Sequence, residues 1–201
     1  DVLSNGVKSE GSVCLSTERT IRIAGHETPG LRFDMAPGTG ITVQLSPGAS
    51  IVNYGSLFVS GTVDDPVRFE TYPLPAGTHA PATGQRWGGI IAQGADTTRI
   101  MHAVLEGASS GSGFGNYKAA VTVVGSGLVL KGVEISGVVY PVYAYRSQVL
   151  IDSCRLSSKG TGDLIHIHAC RDAVIRGCDL SGNYYDDGGE EQKFEASYHM
   201  E

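Results

Sequence analysis

The chain has 201 residues, which is enough for one domain with a substantial core. Its 15 basic and 21 acidic residues give a net charge of −6, so we expect no nucleic-acid partner. No apolar run is long enough to cross a bilayer, and we expect no membrane span. The 28 glycines, together with frequent valine and threonine, favour short strands joined by tight turns.

The predicted elements fall into three parts along the chain. Residues 1–40 are interpreted as an N-terminal cap or entry segment, residues 41–183 as a repeat domain, and residues 184–201 as an acidic loop and the start of a further turn. The sequence begins at Asp1 with neither an initiator methionine nor a signal peptide. We therefore expect a processed chain, or a piece that continues into further parts of a larger protein.

An internal repeat dominates the second part of the chain. Four units, each with a second aliphatic residue five positions after the first, begin at Ile100, Leu130, Ile151 and Ile175. The second aliphatics are Leu105, Ile135, Leu156 and Leu180, and the residues that mark a bend between the two are His102, Gly132, Ser153 and Gly177. Each unit therefore reads as two short strands joined at a corner.

A third strand precedes each pair, in the segments "GGIIAQ", "AVTVVG", "PVYAYR" and "LIHIHA". Three strands per turn, at a period of about 20 to 25 residues, predict an all-β parallel β-helix. A leucine-rich repeat has a similar period. It is disfavoured here because no helix-compatible stretch separates the strands and the asparagine ladder of that repeat is missing.

From about Ile41 to Asn183 the repeat resembles the right-handed parallel β-helix superfamily. The segment "PGASIVNYGSLFVSGTVDDPVRFETY", followed by "WGGI", is similar to the opening coils of extracellular β-helix repeat proteins. There is also a distant resemblance to the pectate lyase-like fold. The length of the chain permits about seven turns of three short strands each. The resemblance says little about chemistry, because lyases, hydrolases and adhesins share this fold.

Charged residues alternate in sign at two outward positions of the repeat. Equivalent residues of successive turns stack about 4.8 Å apart, so opposite charges become neighbours. The two series are Lys131, Asp152 and Arg176, and Glu134, Arg155 and Asp179. We interpret both as ion-pair ladders that fix strand register, and prefer this to a catalytic role.

The cysteines leave two alternatives open. Cys154 and Cys178 share an inward position on adjacent turns, where either a disulfide or two free thiols would fit. Free thiols are favoured, because parallel stacking aims both Cβ vectors the same way. Cys14 and Cys170 are unassigned, and no C-x-x-C pair suggests zinc.

One outward strand face carries the candidate binding residues. With the aliphatic residues inward, Tyr143 and Tyr145 point outward and stack beside His166 and His168 of the next turn. Exposed rings of this kind suit a saccharide platform, and the saccharide cleft of the pectate lyase and polygalacturonase relatives resembles this placement. The favoured alternative is that a loop, either 109–118 or 183–191, covers the face. Metal binding by the His-x-His pair is the least favoured option.

The acidic segment "DLSGNYYDDGGEE" supplies the one cofactor candidate. Its Asp186, Asp187, Glu190 and Glu191 are oxygen ligands of the type that Ca²⁺ prefers. The EF-hand spacing is absent, and a solvated acidic loop is the favoured interpretation.

The functional expectation is a non-catalytic β-helix segment of a secreted or cell-surface protein. It would serve as a rigid spacer, an adhesive or a platform that binds a glycan or a cell-surface protein. The alternative is a carbohydrate-active enzyme of the polysaccharide lyase or glycoside hydrolase type, with its groove on the strand that carries Tyr143 and His166. We assign no catalytic residue, since Glu195 is the one acid expected to join that strand face on a following turn.

Overall fold

The computed structural model describes residues 41–45, 50–71, 86–108, 119–159 and 163–182 with their side chains. It also describes the backbone of strands within 7–35 and 183–200. In chain order the strands are β1 (Val7–Ser9), β2 (Val13–Thr17), β3 (Ile21–Ile23), β4 (Leu31–Met35), β5 (Ile41–Leu45), β6 (Ser50–Asn53), β7 (Ser56–Ser60), β8 (Val67–Thr71), β9 (Gly89–Gln93), β10 (Thr97–Met101), β11 (Ala103–Glu106), β12 (Ala119–Val124), β13 (Gly127–Lys131), β14 (Glu134–Val138), β15 (Tyr140–Tyr145), β16 (Gln148–Asp152), β17 (Arg155–Lys159), β18 (Ile165–His168), β19 (Arg171–Arg176), β20 (Asp179–Tyr185), β21 (Glu191–Glu195) and β22 (Tyr198–Met200).

These strands form three sheets, and from β1 to β20 each run of three consecutive strands gives one strand to each sheet. Sheet A has the order β1-β4-β7-β10-β13-β16-β19, and sheet B has the order β2-β5-β8-β11-β14-β17-β20-β21. Sheet C has the order β22-β18-β15-β12-β9-β6-β3. Neighbours pair in parallel, except that β21 runs antiparallel to β20. The segment 1–40, expected to be a cap, supplies β1 to β4 to the same sheets.

The expected all-β fold is confirmed as three stacked parallel sheets, an arrangement consistent with a parallel β-solenoid. The parts of the chain described above contain no helix. Accordingly, within those parts nothing helical has the length and apolar character needed to cross a membrane.

The sequence alignment of the repeats is confirmed by strand register. Ile100 pairs with Leu130, Leu130 with Ile151, and Ile151 with Ile175. The second series, Leu105, Ile135, Leu156 and Leu180, pairs in the same way. The first three members of each series are fully buried, whereas Ile175 and Leu180 in the final coil are partly buried. The core is therefore the interior of the coil.

The four corners that lead from sheet A to sheet B between β10 and β20 each turn at one left-handed residue. The backbone φ is 47° at His102, 59° at Gly132, 55° at Ser153 and 61° at Gly177. These are the four bend positions predicted from the repeat. An L-residue is strained in this region, and glycine is not.

Both charge series have the expected strand register, and three of their four neighbouring pairs are ion pairs, whereas Lys131 lies opposite Asp152 without one. Arg155 approaches Glu134 at 3.7 Å and Asp179 at 3.5 Å, which joins three successive coils. The Arg176 Nη2 atom donates to the Asp152 Oδ2 atom at 2.8 Å. This hydrogen bond stabilises the charged carboxylate and lowers the pKa of Asp152 below its ordinary value of 3.8.

The cysteine side chains of the described coils are free thiols, namely those of Cys154, Cys170 and Cys178. The Cys154 thiol donates to the Asp152 carbonyl at 3.3 Å, and its burial raises its pKa to about 11. The free-thiol alternative therefore holds for Cys154 and Cys178. The side chain of Cys14 lies outside the described residues.

Candidate functional site

The Tyr/His pairs lie together on the outward face of sheet C. Strands β15 and β18 pair Tyr143 with His166 and Tyr145 with His168. The ring centroids are 5.1 Å apart in the first pair and 5.3 Å apart in the second, and both pairs are stacked. The predicted stacking of the four side chains is confirmed.

The four residues of the Tyr/His pairs differ in solvent exposure. Tyr143 is only 5% exposed, while Tyr145, His166 and His168 are half-buried. Ile91 and Thr122, which precede Tyr143 in the same outward row, are buried as well. The open-platform alternative therefore does not hold at Tyr143, whereas His166, the next residue of the same row, keeps part of its surface in solvent. Loop 109–118 and most of 183–191, the segments expected to provide the cover, lie outside the described residues.

His166 has an acidic partner that the sequence analysis did not single out. Its Nδ1 atom lies 3.0 Å from the Oδ2 atom of Asp163. An acid three residues before a histidine, at the point where a strand begins, was the signal available for this pair. In the same row, the hydroxyl of Thr122 is buried and has no hydrogen-bond partner among the described residues.

A groove that the sequence analysis missed runs along the corner between sheets C and A. It has a volume of about 800 Å³ and crosses four successive coils. Its lining residues are Gly94, Ala95, Asp96, Thr97, Gly125, Ser126, Gly127, Arg146, Ser147, Gln148, Ala169 and Arg171. A groove of this size falls within the usual range for small-ligand sites.

The edge of the groove is a row of left-handed corner residues. The backbone φ is 58° at Gly94, 59° at Gly125, 49° at Arg146 and 51° at Ala169. The amide of each of the first three donates to the next coil, as in the 2.9 Å bond from Gly125 N to Tyr145 O. The chain turns from sheet C into sheet A at these positions, and a concave surface follows.

The floor of the groove is fixed by a ladder of side-chain hydrogen bonds. The hydroxyl of Ser126 accepts from the amide of Ala95 at 2.9 Å, and the hydroxyl of Ser147 accepts from the amide of Ser126 at 3.2 Å. The Cys170 sulfur takes the same place one coil later, 3.4 Å from the amide of Ser147. Cys170 is thereby assigned as a structural member of this ladder.

Aromatic and basic side chains adjoin one end of the groove. The guanidinium of Arg146 lies over the Tyr145 ring, 4.9 Å from its centroid, and Tyr145 in turn stacks on His168. The amide of Arg171 donates to the carbonyl of Ser147 at 3.2 Å, which places Arg171 one coil beyond Arg146. Asp96 lines the opposite end.

Glu195 and the calcium candidates are the remaining site predictions from the sequence. Glu195 does not join sheet C; it lies in β21, where it pairs with Ser181 of sheet B. The expectation that Glu195 joins the Tyr/His face is therefore wrong. The calcium candidates Asp186, Asp187 and Glu190 lie outside the described residues. Within the residues whose side chains are described, no group of three or more His, Cys, Asp or Glu could hold a metal ion.

Comparisons of the chain with protein-family models, with curated proteins and with solved structures gave no match.

Proposed function

We propose that this chain is a non-catalytic segment of a secreted or cell-surface protein, and that it binds an extended glycan in the groove between sheets C and A. The proposal includes the finer features of the fold expected from the sequence: a right-handed coil of about seven turns, as in the right-handed parallel β-helix superfamily. Support for the handedness comes from the general rule that connections between parallel strands of one sheet are right-handed in about 98% of cases.

The observation that carries the proposal is a polar groove that follows the corner of four coils and adjoins the stacked Tyr145 and His168. A sugar ring has an apolar face and a rim of hydroxyls, so it needs both aromatic surface and convergent polar groups. The groove offers the side chains of Thr97 and Gln148 beside the open backbone of Gly125. A stack of short strands also makes a stiff scaffold, which suits a spacer or an adhesive.

The first test removes the aromatic contribution. Tyr145→Ala is expected to weaken glycan binding about 10-fold, the equivalent of one stacking contact, in isothermal titration with a ligand found on a glycan array. Tyr140→Ala is the matched control, because Tyr140 is exposed at the opposite end of β15, whereas Tyr145 contacts the groove residue Arg146. Tyr143 is unsuitable for this test, since loss of a buried ring would lower stability.

The second test fills the groove itself. At Gly125 an added Cβ would meet no atom within 4 Å, and asparagine tolerates the left-handed backbone found there. Gly125→Asn is expected to weaken binding without unfolding the chain. Gly177→Asn, at a similar φ on the opposite corner, is expected to leave binding unchanged. Failure of the wild-type chain to bind any glycan, or equal binding by Tyr145→Ala and wild type, would refute the proposal.

A second candidate function, a carbohydrate-active enzyme, rests on the contact between Asp163 and His166. A carboxylate that holds Nδ1 of an imidazole orients the ring, and Nε2 would then be the nitrogen that exchanges a proton with a substrate. This candidate predicts that the chain releases new reducing ends from a bound glycan and that Asp163→Asn and His166→Gln abolish the release. Binding without any release of reducing ends by the wild-type chain would exclude it.

A further inference from the structure

Four arginines of the later coils have two different kinds of surroundings. Arg155 and Arg176 belong to the ladders and form ion pairs with acids of neighbouring coils. Arg146 and Arg171 line the groove, and within the part of the chain that the structure describes neither forms an ion pair. The charge ladders therefore do not account for Arg146 and Arg171, and their position in the groove sets them apart.

Each of these two arginines interrupts a row of uncharged residues. Arg146 occupies the corner position that Gly94 and Gly125 hold on the preceding coils, and Ala169 on the next. Arg171 ends the register row that runs through Thr97, Gly127 and Gln148. In the ladders, by contrast, every charge neighbours an opposite charge. The repeat therefore does not require an arginine at either position.

The backbone conformation at Arg146 is a second reason why the repeat does not require an arginine at this corner. Its φ of 49° lies in the left-handed region, where a long L-side chain is strained and glycine is not. Ala169 shows that a residue other than glycine is accepted at this corner, but strained long side chains cluster at ligand-binding sites. The chain thus retains an arginine at a corner where glycine would satisfy the fold.

We propose that Arg146 and Arg171 bind an acidic group, a carboxylate or a sulfate ester, on a glycan that lies in the groove. The inference rests on the proposed glycan-binding function and specifies its ligand class. Planar guanidinium groups bind such oxyanions through paired N–H donors, and hydrogen bonds between ions are the strong ones. The bond from Arg171 N to Ser147 O places the two arginines on adjacent coils, so both can reach one acidic group or two on successive sugars. The contact with Tyr145 holds Arg146 in place before the ligand arrives.

The experiment compares three hexasaccharides with the folded chain: a sulfated one from heparin, a carboxylated one from alginate, and neutral cellohexaose. The wild-type chain is expected to bind at least one acidic hexasaccharide about 10-fold more tightly than the neutral one. Competition by inorganic sulfate or by acetate then tells which oxyanion the pair of arginines prefers.

The variants decide whether the two arginines are responsible. Arg146→Gly and Arg171→Gln should each lower the affinity for the acidic hexasaccharide about 10-fold and leave the affinity for the neutral one unchanged. Arg99→Gln is the matched control, because Arg99 is exposed on β10, outside the groove, and loses the same charge. Its effect should stay below about twofold if the binding is local rather than a general charge effect. Arg146→Gly should also melt at or above the wild-type temperature, since glycine relieves the strained backbone.

Three results would overturn the inference: equal binding of neutral and acidic hexasaccharides, unchanged acidic affinity in both variants, or an equal loss in Arg99→Gln. If Arg146→Gly were to lower the melting temperature, Arg146→Gln would supply the binding result by the same criteria. Failure of every hexasaccharide to bind would instead refute the proposed glycan-binding function. If the neutral hexasaccharide binds and the two arginine variants bind the acidic hexasaccharide as tightly as the wild type does, only the acidic ligand class is rejected.

Discussion

Reversing one charge in the middle of a ladder should destabilise the chain by a predictable amount. Arg155 lies between Glu134 and Asp179, at 3.7 Å and 3.5 Å, and all three side chains are well exposed. Cross-strand pairs of opposite charge contribute about 0.5 kcal/mol each, and like charges cost a similar amount. Arg155→Glu loses two attractive pairs and creates two repulsive ones, so the free energy of unfolding should fall by about 2 kcal/mol. For a chain of this length that corresponds to a fall in melting temperature of about 4–8 °C.

The assay is thermal unfolding followed by circular dichroism, with Arg155→Gln as the control that removes the attraction without adding repulsion. This variant should lose about half as much stability as Arg155→Glu. In 1 M salt the Debye length falls to about 3 Å, and the difference between the two variants should shrink accordingly. The inverted ladder, Arg155→Glu with Glu134→Arg and Asp179→Arg, should recover most of the loss. Equal melting temperatures for the Glu and Gln variants, or a difference that salt leaves unchanged, would refute the ladder interpretation.

Two further predictions concern titratable groups. The folded-state pKa of Asp152 is lowered by Arg176, so the pair stabilises the chain at pH values above 3.8 and loses that effect as the pH falls through the lowered pKa. The destabilisation caused by Arg176→Gln, measured as a melting-temperature difference from wild type, should therefore be present at pH 7 and disappear in acid. The thiol of Cys154, with its pKa raised to about 11 by burial, should resist iodoacetamide at pH 8, while the partly exposed Cys178 is alkylated. Equal labelling of the two cysteines in the folded chain, measured by peptide mass spectrometry, would contradict this assignment.

The interior of the coil was predictable because a parallel stack places equivalent residues of each repeat in contact. Aligning Leu105 with Ile135 in the sequence therefore amounts to predicting a spatial neighbour, and the register confirms it. The corners were predictable for a related reason. The chain must bend between sheets A and B once per turn, and Gly132 or Ser153 marks the residue that adopts the left-handed backbone.

The outer surface was less predictable, because side-chain alternation tells which side of a sheet a residue occupies but not what lies above it. Tyr143 points away from the interior as expected, yet it is buried. The groove was missed for a different reason. Its concavity arises where two sheets meet, and no single strand encodes it. The small residues that follow successive sheet C strands, such as Ser126 and Ser147, were the available signal, although only the hydrogen bonds of their hydroxyls identify the floor.

In a repeat of this kind, equivalent residues of successive coils form a column. A residue that differs in type from the rest of its column is more informative about function than a charge that continues an alternating series. Arg155 follows a column of alternating sign, and its contacts account for its presence. Arg146 stands in a corner column otherwise held by glycine and alanine, at a backbone angle that strains it, and its side chain lies at a groove. Glycine at position 146 would relieve the backbone strain, whereas loss of Arg155 would remove two ion pairs and lower the stability. The stability and the binding of Arg146→Gly should therefore change in opposite directions, and no residue of the two ladders should behave in this way.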